Sequence, residues 1–145
     1  MKSEEIKVAV TSRSFSKNSV LREELLQKYS NVTFNDRGLK FQGDIFVDFL
    51  NGHQKAIIAL EKIDDDLLTK LPELKVISKY GVGLDQVDQE ACKYREVHVA
   101  WTGGVNRRGV AEMTLCYMIG LSRNIFFSAR GLRASNDWSK LGGTD

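Results

Sequence analysis

Two short segments carry residue types suited to holding an anion. In Ser78-Lys79-Tyr80-Gly81-Val82-Gly83-Leu84-Asp85-Gln86-Val87-Asp88, two glycines flank one residue. With no side chain on either side, the backbone N–H groups of such a turn point outward unobstructed and suit a carboxylate or a phosphate. A tight strand-to-helix turn without a ligand, with Asp85 or Asp88 capping the next helix, satisfies the same residues, and G-x-G alone leaves both readings open. The second segment is Thr102-Gly103-Gly104-Val105-Asn106-Arg107-Arg108-Gly109-Val110-Ala111-Glu112. Glycines followed by a polar residue at a helix start can make an anion or amide site. The plainer reading is an N-cap at Asn106, with Glu112 solvated or complementing the helix dipole.

Other polar clusters carry less. Asp64-Asp65-Asp66 reads as a helix N-terminus rather than a cation site, because a hard cation needs further oxygen ligands from elsewhere. Cys92 and Cys116 are far apart and read as unpaired buried thiols. His53 and His98 have no C-x-x-C to complete a zinc site, so no metal is expected.

These segments need elements to position them. Ile6 to Thr11 alternates with β-branched residues and reads as a first strand. Asn18 or Ser16 caps a helix carrying Val20, Leu21, Leu25 and Leu26 at helical spacing. Residues 31–35 read as a second strand, and Gly43-Asp44 opens a helix with Ile45, Phe46, Phe49 and Leu50 on one face. Residues 55–60 have the continuous apolar character of a strand buried on both faces. Asp64 starts a helix through Leu67, Leu68 and Leu71 that Pro72 stops. Strands at 74–78 and 97–101 bracket a helix at 87–94. Strands separated by single helices give right-handed βαβ units, so an α/β, flavodoxin-like, doubly wound parallel sheet of five strands is expected.

Composition agrees with that class. The chain has 145 residues, 42% of them hydrophobic and 28% charged, with a mean hydropathy of -0.28, which excludes fibrous and disordered classes. The 21 basic and 19 acidic residues leave a net charge of +2, too even for a nucleic-acid partner. No apolar run approaches the roughly 20 residues of a membrane span. The opening Met1-Lys2-Ser3-Glu4-Glu5 has acids where a secretory signal needs bases, so a cytoplasmic protein is expected.

The last third departs from the strand-helix rhythm. Residues 106–133 read as one helix apolar around much of its circumference, and too little chain follows to cover it. A patch of this kind predicts a homodimer, with the C-terminal helix packed on or exchanged with a neighbouring copy.

Taken together and in this order, the two segments resemble the catalytic domain of the D-isomer-specific 2-hydroxyacid dehydrogenases, in wording most like the phosphoglycerate-dehydrogenase-like branch. The family pattern is a G-V-G-x-D-x-[VI]-D loop after a strand, then T-P-G-x-N and V-A-E opening a long crossing helix. Gly81 to Asp88 and Thr102 to Glu112 follow it, with Arg123 and Trp138 at further family positions. The resemblance implies a two-domain enzyme that moves hydride between NAD(H) and a 2-keto or 2-hydroxy acid, with NADP left open. It implies that the N–H groups of Val82 and Gly83 hold the substrate carboxylate and that Gly81 keeps the loop tight. Lys79 would add charge, or remain a solvated strand-end lysine. Val82 would also touch the nicotinamide end of the cofactor, and Asn106 would shape the cleft on the cofactor side.

Departures from the family pattern set further expectations. The G-x-G-x-x-G fingerprint is absent, and no residue inherits a catalytic role, so the chain alone is expected to be inactive. Thr-Gly-Gly replaces Thr-Pro-Gly, which would loosen the loop before Asn106. Leu60-Glu61-Lys62 lacks the Arg expected for a phosphorylated substrate. The expected division is a substrate domain over residues 1–105 and a crossing helix with the start of a linker over 106–145. An end at Asp145 reads as an expressed domain or a truncated gene. The alternative is an autonomous flavodoxin-like small-acid-binding or regulatory module without catalysis.

Overall fold

The fold rests on a short strand ladder whose apolar residues face both ways. In the computed structural model, which describes residues 3–135 and 141–144, the strands are β1 (Ser3–Val10), β2 (Tyr29–Phe34), β3 (Lys55–Ile58), β4 (Val76–Lys79) and β5 (His98–Ala100). All pairings are parallel, in the order β2-β1-β3-β4-β5. Register places Val10 beside Phe34, Ala9 beside Ala56, Ile57 beside Ser78 and Ile77 beside Val99. This is the doubly wound order of flavodoxin-like sheets, in which crossovers leave in opposite directions on either side of the β1/β3 pair. Ala9, Ile58 and Ile77 from the sheet meet Leu50, Ile63 and Leu74 in a core where each is at most 1% exposed.

The helices are α1 (Arg13–Lys17), α2 (Ser19–Lys28), α3 (Gly43–Leu50), α4 (Asp65–Lys70), α5 (Gln89–Tyr94), α6 (Arg107–Ser122) and α7 (Ile125–Ser135). Side-chain caps start four of them: Ser12 accepts from Phe15 N–H, Asn18 from Leu21, Asp64 from Leu67 and Asp88 from Ala91. Each satisfies an orphan donor and contributes about 1 kcal/mol.

Several boundaries differ from the sequence expectation, for local reasons. Asn18 is extended, with ψ 111, and divides the first helical stretch into α1 and α2. Ile45 is 60% exposed, so only Phe46 and Leu50 of α3 are buried, with Phe49 packed alongside them. Val87 forms an isolated parallel bridge with Ile63, held by Ile63 N–H to Gln86 O and Asp88 N–H to Ile63 O, both 2.8 Å. That bridge delays α5 to Gln89.

The chain divides into two compact units, Met1–Gly103 and Gly104–Asp145. In the second, the single helix expected from residue 106 is broken. Asn124 adopts φ 53, a left-handed conformation that asparagine tolerates better than most residues, and the chain restarts as α7. Thr144 N–H returns to Ser122 O at 2.9 Å, and the Asn124 amide donates to Gly142 O, so residues 142–144 close the break. Phe126 lies directly over Gly120, the one buried residue of α6, and Tyr117 packs 6.1 Å from it. Trp138 lies outside the described residues.

Candidate functional site

The Gly81-Val82-Gly83 loop begins on a rigid base. Lys79 ends β4, and Tyr80 N–H extends the ladder by donating to Ile58 O at 2.7 Å. The Tyr80 ring meets Phe15 edge-on at 5.4 Å. Lys79 does not run free into water: it is half-buried, its Nζ donates to the Ala59 carbonyl, and its Cε would lie 3.8 Å from a Cβ on Gly81. The lysine stem thus runs under the loop and ties the ends of β3 and β4 together.

Gly81 adopts φ +147, which a side chain would strain. Past it, Val82 is half-buried and Gly83 exposed. Among the described residues, no acceptor pairs with the N–H groups of Gly81, Val82 or Gly83, while the Val82 carbonyl accepts from Trp101 Nε1 at 2.9 Å. Asp85 lies over Gly83, with Oδ2 3.0 Å from where a Cβ would sit. Asp88, not Asp85, caps α5. The result is a short row of open donors with its carbonyl side fixed, an arrangement able to receive one carboxylate.

Trp101 is the site residue that sequence reasoning missed. The available signal was an indole just after the β5 strand, with two glycines at 103–104, but Trp101 is exposed, so no burial pattern demanded an acceptor for its N–H. Gly103 lies against that ring: a Cβ there would come 2.8 Å from Trp101 Cη2. Gly103 of the Thr-Gly-Gly departure therefore leaves room for the indole that donates to Val82.

A second feature without a sequence motif is a cleft of about 680 Å³ at the carboxyl ends of β1, β2 and β3. Residues 11–14, Lys17, residues 39–42 and residues 59–61 line it. Three separated segments supply these residues, and only the sheet order brings them together. Glu61 Oε2 accepts from Ala59 N–H at 2.7 Å, fixing the third wall beside the Lys79 anchor.

Asn106 stands at the N-cap position of α6, and its carbonyl accepts from Val110 N–H at 3.0 Å, but its side chain makes no cap hydrogen bond. It belongs to the second unit, whereas Lys79 at the end of β4 and Gly81, Val82 and Gly83 in the loop after it belong to the first. Of the remaining candidates, Asp64 caps α4, and Asp65 takes Arg95 Nε and Nη2 in a fork at 2.7 and 2.9 Å. Both His53 ring nitrogens are engaged, one with Asn51 O at 3.2 Å and the other with Thr33 Oγ1 at 3.0 Å. Cys92 is buried, and burial followed by the Asp88 charge pushes its thiol up from its ordinary value. Among the described residues, no cluster of three or more metal-ligating side chains occurs, and no helix is long and apolar enough to cross a membrane.

Comparison with known proteins fits this geometry. Residues 8–140 match the family described as D-isomer specific 2-hydroxyacid dehydrogenase, catalytic domain. The chain is 31% identical over 83 residues to a glyoxylate reductase of Thermococcus litoralis, covering 57% of this chain and 25% of that protein. It is 32% identical over 79 residues to an (S)-sulfolactate dehydrogenase of Chromohalobacter salexigens, covering 54% of this chain and 25% of the relative. Among solved structures, a cofactor(NAD+)-bound 3-phosphoglycerate dehydrogenase in Entamoeba histolytica superposes with a TM-score of 0.67 at 25% identity, over 83% of this chain and 40% of the other. The chain thus spans about a quarter of the length of the two relatives matched in sequence. With the matched segment running from β1 through the G-V-G loop and past α6 and α7, the chain belongs to the D-isomer specific 2-hydroxyacid dehydrogenase family, as its catalytic domain.

Proposed function

We propose that this chain is the substrate-binding part of an NAD-dependent oxidoreductase that interconverts a 2-hydroxy acid and its 2-keto acid, and that it is inactive by itself. The observation that carries this reading is the G-V-G loop at the end of β4, whose Val82 and Gly83 N–H groups have no acceptor among the described residues. The substrate carboxylate docks on those two donors, Gly81 sets the turn, and Lys79 contributes a positive charge behind the loop. This fixes one end of a small acid so that its C2 carbon is held in one orientation, the positional part of catalysis. When bound, NAD supplies the hydride chemistry. From the first unit the half-buried Val82 side chain would meet it, and in the second unit Asn106, whose side chain makes no cap hydrogen bond, is a separate candidate contact. The described residues include no glycine cradle for a pyrophosphate, so they fit only the edge of that cofactor.

The proposed division is a substrate domain over residues 1–105 and a crossing helix and linker start over 106–145. We further infer a cytoplasmic homodimer. On α6 and α7, Met118, Ile119, Leu121 and Phe127 are each more than half exposed, and a stripe of this kind is buried by a second copy, through packing or exchange of the C-terminal helix. Monomeric sedimentation at tens of micromolar would contradict the dimer.

An amide NMR titration with pyruvate, then with NADH, tests the main reading. Saturable shifts centred on residues 81–83 are expected with pyruvate. A folded chain showing none at these amides would refute the assignment.

A further inference from the structure

Away from the G-V-G loop, a pocket of about 420 Å³ lies within the first unit, between α3 and α4. That volume suits a small ligand. Its inner side is apolar: Phe41, Phe46 and Leu67 are buried, and Val47 is half-buried.

The lining also carries four charges, and three of them are engaged. Lys62 Nζ lies 2.9 Å from Asp64 Oδ2, and the other oxygen of Asp64 accepts from Leu67 N–H at 3.0 Å. Lys70 on α4 reaches toward Asp44 on α3, at 3.9 Å. Asp66 is the fourth, and among the described residues its carboxylate has neither an ion pair nor a hydrogen bond. Its neighbours on α4 show the contrast, since Asp64 caps the helix and Asp65 takes the Arg95 fork. Lys70 stands four residues after Asp66, the spacing at which an acid and a base on one helix ordinarily pair, yet it turns to the other helix. Lys62 lies within the field of Asp66, but its hydrogen bond goes to Asp64. Around an apolar floor, the three acids Asp44, Asp64 and Asp66 therefore face two lysines, and the unanswered charge is negative.

We propose that this pocket binds a small organic cation, an apolar body carrying one primary ammonium group. The body rests on Phe41, Phe46, Val47 and Leu67, and the ammonium meets Asp66. A neutral ligand of the same shape leaves Asp66 unpaired, and an anion meets it with like charge. The site takes a ligand opposite in charge to the acid assigned to the Val82 and Gly83 amides, and it stands whether or not that assignment does.

The test uses phenethylamine, phenethyl alcohol and 3-phenylpropionate as NMR probes of the same chain at neutral pH. The three share a phenyl ring on a two-carbon tether and differ in charge. Phenethylamine should shift the amides of residues 42–47 and 66–70, with a Kd of about millimolar order for so small a ligand. It should bind about threefold tighter than the alcohol, the size of one solvent-exposed ion pair, with 3-phenylpropionate the weakest. Asp66→Asn, at an exposed position, should bring phenethylamine to the affinity of the alcohol and leave the alcohol unchanged. Val47→Trp, which fills the pocket, should weaken both. Equal affinities for the three probes would overturn the proposal, as would an amine advantage that survives Asp66→Asn. In the latter case Asp66 serves only the dipole of α4. Amine shifts centred away from residues 42–47 and 66–70, or unchanged binding in a folded Val47→Trp chain, would place the probe elsewhere and overturn it too.

Discussion

The indole Nε1 of Trp101 donates to the carbonyl of Val82 at 2.9 Å, joining the end of β5 to the G-V-G loop at the end of β4. With that carbonyl engaged, the Val82 and Gly83 N–H groups have no acceptor among the described residues. Trp101→Phe keeps the ring and removes the bond, at a cost of about 1 kcal/mol for a typical hydrogen bond. The expected outcome is faster hydrogen exchange at residues 81–83 and weaker pyruvate binding, with the rest of the sheet unchanged. Wild-type exchange in the variant would show that the indole does not hold the loop.

The two glycines of the loop should answer differently to alanine. Gly81→Ala forces a side chain into φ +147 and should lower stability by on the order of 1 kcal/mol or more, read by urea denaturation. Gly83→Ala meets only the Asp85 carboxylate at 3.0 Å, which a small side-chain movement relieves. It should cost less stability while still crowding the donor row. Equal losses of stability in the two variants would count against the turn geometry.

Much of this arrangement was legible in the chain. Strand alternation at 6–11, the continuous apolar run at 55–60 and the caps at Asn18, Asp64 and Asp88 each rest on local rules, and the sheet follows from their order. The two glycine motifs located the loop for the same reason. What stayed hidden depends on contacts between distant segments. Trp101 finds Val82 only once β4 and β5 are neighbours, and the walls of the cleft meet only because β1 pairs with both β2 and β3. The break at Asn124 was masked by an apolar pattern that runs through it, and Val87 left helix for the bridge to Ile63 because that pairing lies outside its own segment.

Acid should weaken the cap of α4. The Lys62 ammonium, 2.9 Å away, and then the Leu67 N–H hold the Asp64 carboxyl below the usual aspartate range. A depressed carboxyl contributes stability that is fully present above its unfolded value, about 3.9, and is lost as pH falls through the lower folded value. At neutral pH Asp64→Ala should cost about 1 kcal/mol. The gap between variant and native protein should narrow as pH falls below the ordinary carboxylate range, and a gap independent of pH would contradict the charged cap.

Cys92 should resist alkylation in the native chain. Its thiol is buried at 1% exposure and pushed up by burial and by Asp88, so neither access nor thiolate favours reaction at neutral pH. Peptide mass spectrometry after iodoacetamide should find Cys92 unmodified until the chain is unfolded. Modification at the same rate as a free thiol would mean that α5 opens readily.

The central claim is that a small acid binds by its carboxylate to two backbone amides. A crystal structure of the chain grown with pyruvate tests it most directly. Carboxylate oxygens within hydrogen-bond distance, about 2.7–3.2 Å, of both the Val82 and Gly83 nitrogens are the predicted result. Pyruvate bound elsewhere, with those two amides facing water, would contradict it.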